Sequence, residues 1–198
     1  MSLLDSLKEH LDPKTIGNLA GKLGIDPAKA ESAVATALPT ILGALAKNSS
    51  QPDGADKLDK ALAKDHDGSV LAQLQAAGPQ LLESGQKILG HVFGGKKQAA
   101  VDGVAQKSGL PIDDIAKLLG TVAPIVLGVI GKKKKEENLD ASGVASALAA
   151  DQDKAKAESG GILSMLDADG DGSVMDDLAK HAGALGALFG GGGDKKES

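Results

Sequence analysis

The 198-residue chain contains no cysteine, tryptophan or tyrosine and only two phenylalanines. Without cysteine it can form neither disulfides nor thiolate metal sites, and it has no cysteine nucleophile. Its core must be built from leucine, isoleucine, valine and alanine, which bury little area per side chain. A small domain of this kind is expected to be marginally stable alone, so parts of the chain should pack together or the chain should self-associate.

An excess of positive charge is also missing. The 22 basic residues are outnumbered by 27 acidic residues, and the net charge of -5 argues against nucleic acid as the main partner. The one basic cluster, which we call the lysine cluster, consists of Lys132, Lys133, Lys134 and Lys135. Together with the residues up to Asn138 it is predicted to form a solvated connector.

Long apolar runs and catalytic motifs are absent as well. No apolar run reaches the roughly 18 to 20 residues of a membrane span, and the N-terminus lacks the pattern of a signal peptide, so a cytoplasmic location is the default prediction. The sequence has no GxSxG elbow, no phosphate-binding GK[ST] loop and no dinucleotide fingerprint. The four histidines are scattered, without the i, i+4 spacing of a helical zinc site. We therefore predict that the protein is not an enzyme.

What the sequence does contain is helical signal in segments along most of its length. Apolar residues recur at helical spacing, and the dipeptides Asp12-Pro13 and Asp26-Pro27 have the cap-and-proline pattern of helix starts. No segment shows the alternation of a strand bounded by hairpin turns. The predicted fold class is all-α. Pro39 and Pro124 lie inside helical patterns, where proline is expected to kink or break a helix.

One segment of the chain occurs twice. Residues 19–47 align with residues 104–132 at a constant offset of 85 without a gap, and eight of the 29 aligned positions are identical. The identical pairs are Ala20/Ala105, Lys22/Lys107, Gly24/Gly109, Thr36/Thr121, Pro39/Pro124, Leu42/Leu127, Gly43/Gly128 and Lys47/Lys132. This similarity predicts an internal duplication. The interpretation is a helical bundle of two similar halves packed together, residues 1–95 and 96–189, followed by a flexible tail at residues 190–198.

An EF-hand-like acidic loop, residues 167–178, has the spacing of a calcium site. Asp167, Asp169 and Asp171 stand at loop positions 1, 3 and 5, a glycine stands at position 6, and Ser173 at position 7 would add its carbonyl oxygen. Carboxylates at this spacing converge on one point, and hard cations such as calcium prefer oxygen ligands. The loop is therefore a candidate for a weak calcium site.

The loop departs from the calcium pattern at position 12. Leu178 stands where a bidentate carboxylate belongs, and the nearest acids are Asp177 and Asp176. A following helix that starts early could bring Asp177 to the ion; otherwise the loop is only an acidic helix cap. A real site would have a Kd of about 10⁻⁴ to 10⁻³ M, so calcium occupancy would point to an extracytoplasmic location. Residues 65–70 have the same DxDGSV pattern, but Ala63 replaces the first ligand and a helix cap is predicted there.

Three stretches carry a resemblance to a known family. They are HDGS at residues 66–69, GQKILGHVFG at residues 85–94 and LGTVAPIVLGVIGK at residues 119–132. Together with the acidic loop they resemble the uncharacterised bacterial family that includes the YidB-like proteins. The resemblance implies a small helical bacterial protein without known catalysis, and it transfers no active-site residue. His66 and His91 lie in the resembling stretches, where a structural role in a turn is expected.

These observations predict a non-enzymatic structural or interaction protein. Its small and apolar helical faces would pack against a protein partner or a second copy of the chain, and calcium could stabilise the acidic loop. The alternative is a peripheral protein that binds anionic membrane surfaces through the lysine cluster and the apolar helix before it.

Overall fold

The computed structural model describes residues 2–66, 68–72 and 79–158. The elements within these ranges are helices, which confirms the predicted all-α class. The chain divides into two compact units, Met1–Asp153 and Lys154–Ser198. Of the second unit the structure describes residues 154–158, which are helical. The division into halves at residue 95 stays a prediction.

Three helices with side-chain caps open the chain. They are α1 (Leu3–His10), α2 (Pro13–Leu23) and α3 (Pro27–Ser49). Ser2, Asp12 and Asp26 each accept a hydrogen bond from the backbone N–H three residues later. These caps satisfy amides that an α-helix leaves without a partner at its start. The helix starts predicted at Asp12 and Asp26 are confirmed.

Six further helices follow in the described residues. They are α4 (Gly54–Asp65), α5 (Ser69–Ala72), α6 (Pro79–Phe93), α7 (Lys97–Ser108), α8 (Ile112–Glu136) and α9 (Ala141–Glu158). A 3-10 turn, Gly94–Lys96, joins α6 directly to α7. Left-handed glycines end α2 and α7: Gly24 has φ 71° and ψ 27°, and Gly109 has φ 66° and ψ 23°. A side chain with a Cβ rarely adopts this conformation, so glycine is favoured at both ends.

Helix α8 is the centre of the first unit. Its residues 118–131 are all buried, and each of the helices α1 to α7 contacts it. No residue in this stretch carries a charge. Burying apolar area contributes about 25 cal/mol per Å², so the most apolar run of the sequence takes the most enclosed position.

Among the described residues, α8 is the one helix that is long and apolar enough to cross a membrane. In the fold, 83% of its apolar window is buried inside the protein. Packing by the surrounding helices therefore accounts for the apolar composition of α8 without a bilayer.

Of the two alternatives for the helical prolines, a break is excluded, and the prediction for the lysine cluster is corrected. Pro39 and Pro124 do not break their helices, since α3 continues to Ser49 and α8 continues to Glu136. Proline removes one helical hydrogen bond, but packing along the rest of a long helix outweighs that loss. The lysine cluster belongs to a helix and not to the predicted solvated connector, because it forms the last turns of α8, where positive charge is favoured by the helix dipole.

Candidate functional site

The predicted calcium ligands lie outside the described residues. This applies to Asp167, Asp169, Asp171, Ser173 and Asp177, and to the alternative carboxylate of Asp176. The calcium site therefore stays a prediction. Within the part of the chain that the structure describes, no group of three or more histidine, aspartate or glutamate side chains could hold a metal ion.

The two histidines of the resembling stretches occupy different environments. His66 follows the last residue of α4 and is half-buried. Burial lowers the pKa of its imidazole, and the neighbouring Asp65 carboxylate opposes this effect. His91 is exposed on α6, where its backbone carbonyl lies 3.4 Å from the Asn48 side-chain amide. Asn48 also donates to the Val92 carbonyl at 2.8 Å, so it caps the end of α6.

Carboxylates lie against three of the four residues of the lysine cluster. The Nζ–Oε1 distances are 3.9 Å for Lys132 and Glu136 and 2.7 Å for Lys133 and Glu137, and Lys134 Nζ lies 3.1 Å from Asp59 Oδ1. The exposed pair of Lys132 and Glu136 adds little stability, but all three pairs reduce the positive charge that the cluster presents to a partner. The cluster is therefore less basic as a surface than its sequence indicates.

The pair of Lys134 and Asp59 links α8 to α4. Their side chains are 21% and 27% exposed, respectively. Asp59 Oδ1 is itself buried and accepts no aligned hydrogen bond from the described residues. The nearby ammonium charge of Lys134 is thus the interaction that offsets the desolvation of this oxygen.

Two glycines bring α6 and α8 into backbone contact. A Cβ atom added at Gly85 would collide with the carbonyl oxygen of Gly120. A Cβ atom added at Gly120 would lie 2.7 Å from Leu82 Cδ1 and 2.8 Å from Gln86 Nε2. Pro124, four residues after Gly120, has no N–H to donate to that carbonyl. The oxygen is therefore available for a close contact with the backbone of α6.

A polar chain continues from this crossing into α7. Gln86 Nε2 donates to the carbonyl oxygen of Ala116 at 2.7 Å, and Lys97 Nζ donates to Gln86 Oε1 at 2.7 Å. These bonds join α6, α7 and α8 and satisfy half-buried polar groups. Sequence analysis missed this chain. The available signal was a polar residue beside a glycine in an otherwise apolar helical pattern.

Helix α3 presents a surface of small side chains to solvent. Ser32, Ala35, Pro39 and Thr40 are exposed, and Thr36 between them is half-buried; we call this surface the α3 outward face. The hydroxyls of Thr36 and Thr40 donate to the carbonyl oxygens four residues earlier, each at 3.0 Å. Because these hydroxyls are engaged within the helix, the face offers small side chains that let another helix approach closely.

Comparison with known proteins identifies a family. A family model described as a bacterial protein of unknown function (DUF937) matches residues 5–133. The matched residues contain α2 to α7 and most of α1 and α8, and the acidic loop lies beyond them. No curated protein and no solved structure matches the chain.

Proposed function

Since the chain belongs to the DUF937 family of bacterial proteins of unknown function, we propose a function from its own surface: a non-enzymatic structural or interaction protein that binds through helix packing. The observation that carries this proposal is the α3 outward face, an exposed stripe of small side chains on a helix of 23 residues. The partner is another protein or a second copy of the chain. Small side chains allow two helices to pack closely. The contact between Gly85 of α6 and Gly120 of α8 is an example within the chain.

The corresponding face of α8 supports this proposal. At the offset of 85, Ala35 and Pro39 of α3 correspond to Gly120 and Pro124 of α8. The α8 residues are buried, with α6 against Gly120, whereas the α3 residues are exposed. A face that resembles a helix-binding face of the same chain is suited to bind a helix of a partner.

The proposal is tested with Ala35→Arg, which places a long charged side chain on the α3 outward face. Sedimentation velocity over a concentration series measures self-association, and a pull-down from a bacterial lysate compares captured proteins. Ala99→Arg, on an exposed position of α7, is the matched control. We expect Ala35→Arg to keep the parent's melting temperature and to lose association, while Ala99→Arg keeps both. The proposal would be overturned if Ala35→Arg associates as the parent does. It would also be overturned if the parent shows no association in either assay.

The internal duplication is proposed as the origin of these two similar faces. At the offset of 85, α2 corresponds to α7 and α3 corresponds to α8. The contacts between the two copies are reciprocal, since α3 packs on α7 and α2 packs on α8. Thr36 in α3 and Thr121 in α8 make the same hydrogen bond to the carbonyl four residues earlier, at 3.0 Å in each case. The left-handed glycines Gly24 and Gly109 also correspond at the offset of 85. A duplicated pair of helices is the simplest origin for these shared details.

Calcium binding to the acidic loop is proposed as a source of stability for the C-terminal part of the chain. The support is the spacing of Asp167, Asp169 and Asp171, with Ser173 and Asp177 as further ligands. A weak site would be empty at cytosolic calcium, so occupancy would require an extracytoplasmic location. The cytoplasmic location otherwise stays the default prediction.

The alternative function, binding to anionic membrane surfaces, has weaker support. It needs the apolar residues of α8 at the bilayer, but residues 118–131 are buried by the other helices. It also needs the charge of the lysine cluster, three members of which lie against carboxylates. Co-sedimentation with anionic vesicles decides between the two proposals, because salt-sensitive binding that is lost in Lys132→Gln and Lys135→Gln would favour the membrane.

A further inference from the structure

We draw no further inference here: the strongest candidate, the exposed α3 outward face around Ala35 and Pro39, already carries the proposed function, and nothing among the described residues shows which partner covers it.

Discussion

A buried carboxylate of α9 caps the first helix of the chain: Asp151 Oδ2 accepts a hydrogen bond of 3.0 Å from the backbone N–H of Leu4. Leu4 lies in the first turn of α1, where the backbone amides have no partner within the helix. Asp151 is only 3% exposed. The positive end of the helix dipole favours a carboxylate at this place. One side chain thus links two helices that are far apart in the sequence.

Replacing Asp151 should destabilise the fold. In Asp151→Ala the Leu4 N–H loses its acceptor, at an expected cost of about 1 to 3 kcal/mol in the free energy of unfolding. Asp151→Asn keeps an acceptor oxygen but loses the charge, so its loss should be smaller. Denaturant unfolding followed by circular dichroism measures both values.

The control for this prediction lies two residues away. Asp153 is an exposed carboxylate on the same helix, and Asp153→Ala should change the free energy of unfolding by less than about 0.5 kcal/mol. Equal losses for Asp151→Ala and Asp153→Ala would show that negative charge on α9, rather than the hydrogen bond to Leu4, is what matters.

Two glycines of α6 should respond in opposite directions to alanine. Gly85→Ala places a methyl group against the Gly120 carbonyl oxygen, which belongs to backbone and cannot move aside cheaply. We expect a loss of about 1 to 3 kcal/mol, as for other overpacked sites. Apart from its chain neighbours and the backbone of its own helix, nothing lies within 4 Å of a Cβ added at Gly90. Gly90→Ala should therefore stabilise the protein by about 0.5 to 1 kcal/mol through helix propensity. Stabilisation by both variants would contradict the close crossing of α6 and α8.

Local features of the fold could be predicted from the sequence because their causes are local. The caps at Asp12 and Asp26 depend on residues within one helical turn, and the structure places them as predicted. The central position of α8 follows from an uncharged apolar run that is too costly to leave in water.

Long-range relationships could not be predicted in the same way. The contact between Asp151 and Leu4 joins residues 147 positions apart, and nothing near either residue indicates the other. The exposure of the α3 outward face could not be predicted either. The helices α3 and α8 have similar apolar patterns, and they differ in which of their faces other helices cover. That difference depends on where α6 packs, which is a tertiary property.

Stability should fall at acid pH partly through His66. Burial lowers the folded-state pKa of this imidazole below its ordinary value of 6.5. The neutral form is therefore favoured in the fold. Its contribution to the free energy of unfolding is fully present above pH 6.5. That contribution is lost as pH falls through the folded-state pKa, because the unfolded chain binds the proton more readily.

The measurement is the melting temperature at about pH 7.5 and about pH 5.5, on either side of the ordinary histidine pKa. His66→Gln should show a smaller decrease between these two conditions than the parent. His91→Gln, at an exposed position of α6, serves as the comparison and should keep the parent's decrease. A decrease in His66→Gln as large as in the parent would remove His66 as a cause.

Calcium should bind the acidic loop weakly if its carboxylates converge on one ion. Isothermal titration calorimetry should then show a Kd of about 10⁻⁴ to 10⁻³ M for the parent. The heat of calcium binding should disappear in the double variant Asp169→Ala with Asp171→Ala, since each substitution removes one carboxylate ligand. Asp65→Ala is the matched control, because it changes the same DxDGSV pattern in a turn that lacks the first ligand.

The melting temperature separates a calcium-binding loop from a helix cap. An ion that binds only the folded chain raises the melting temperature as its concentration exceeds the Kd, so the parent and Asp65→Ala should both rise and the double variant should not. If calcium on the order of 10 mM, well above that Kd, neither releases heat nor raises the parent's melting temperature, the site does not exist. The sequence would then leave only the alternative of an acidic helix cap for Asp167 and its neighbours, and the case for an extracytoplasmic location would fall with the site.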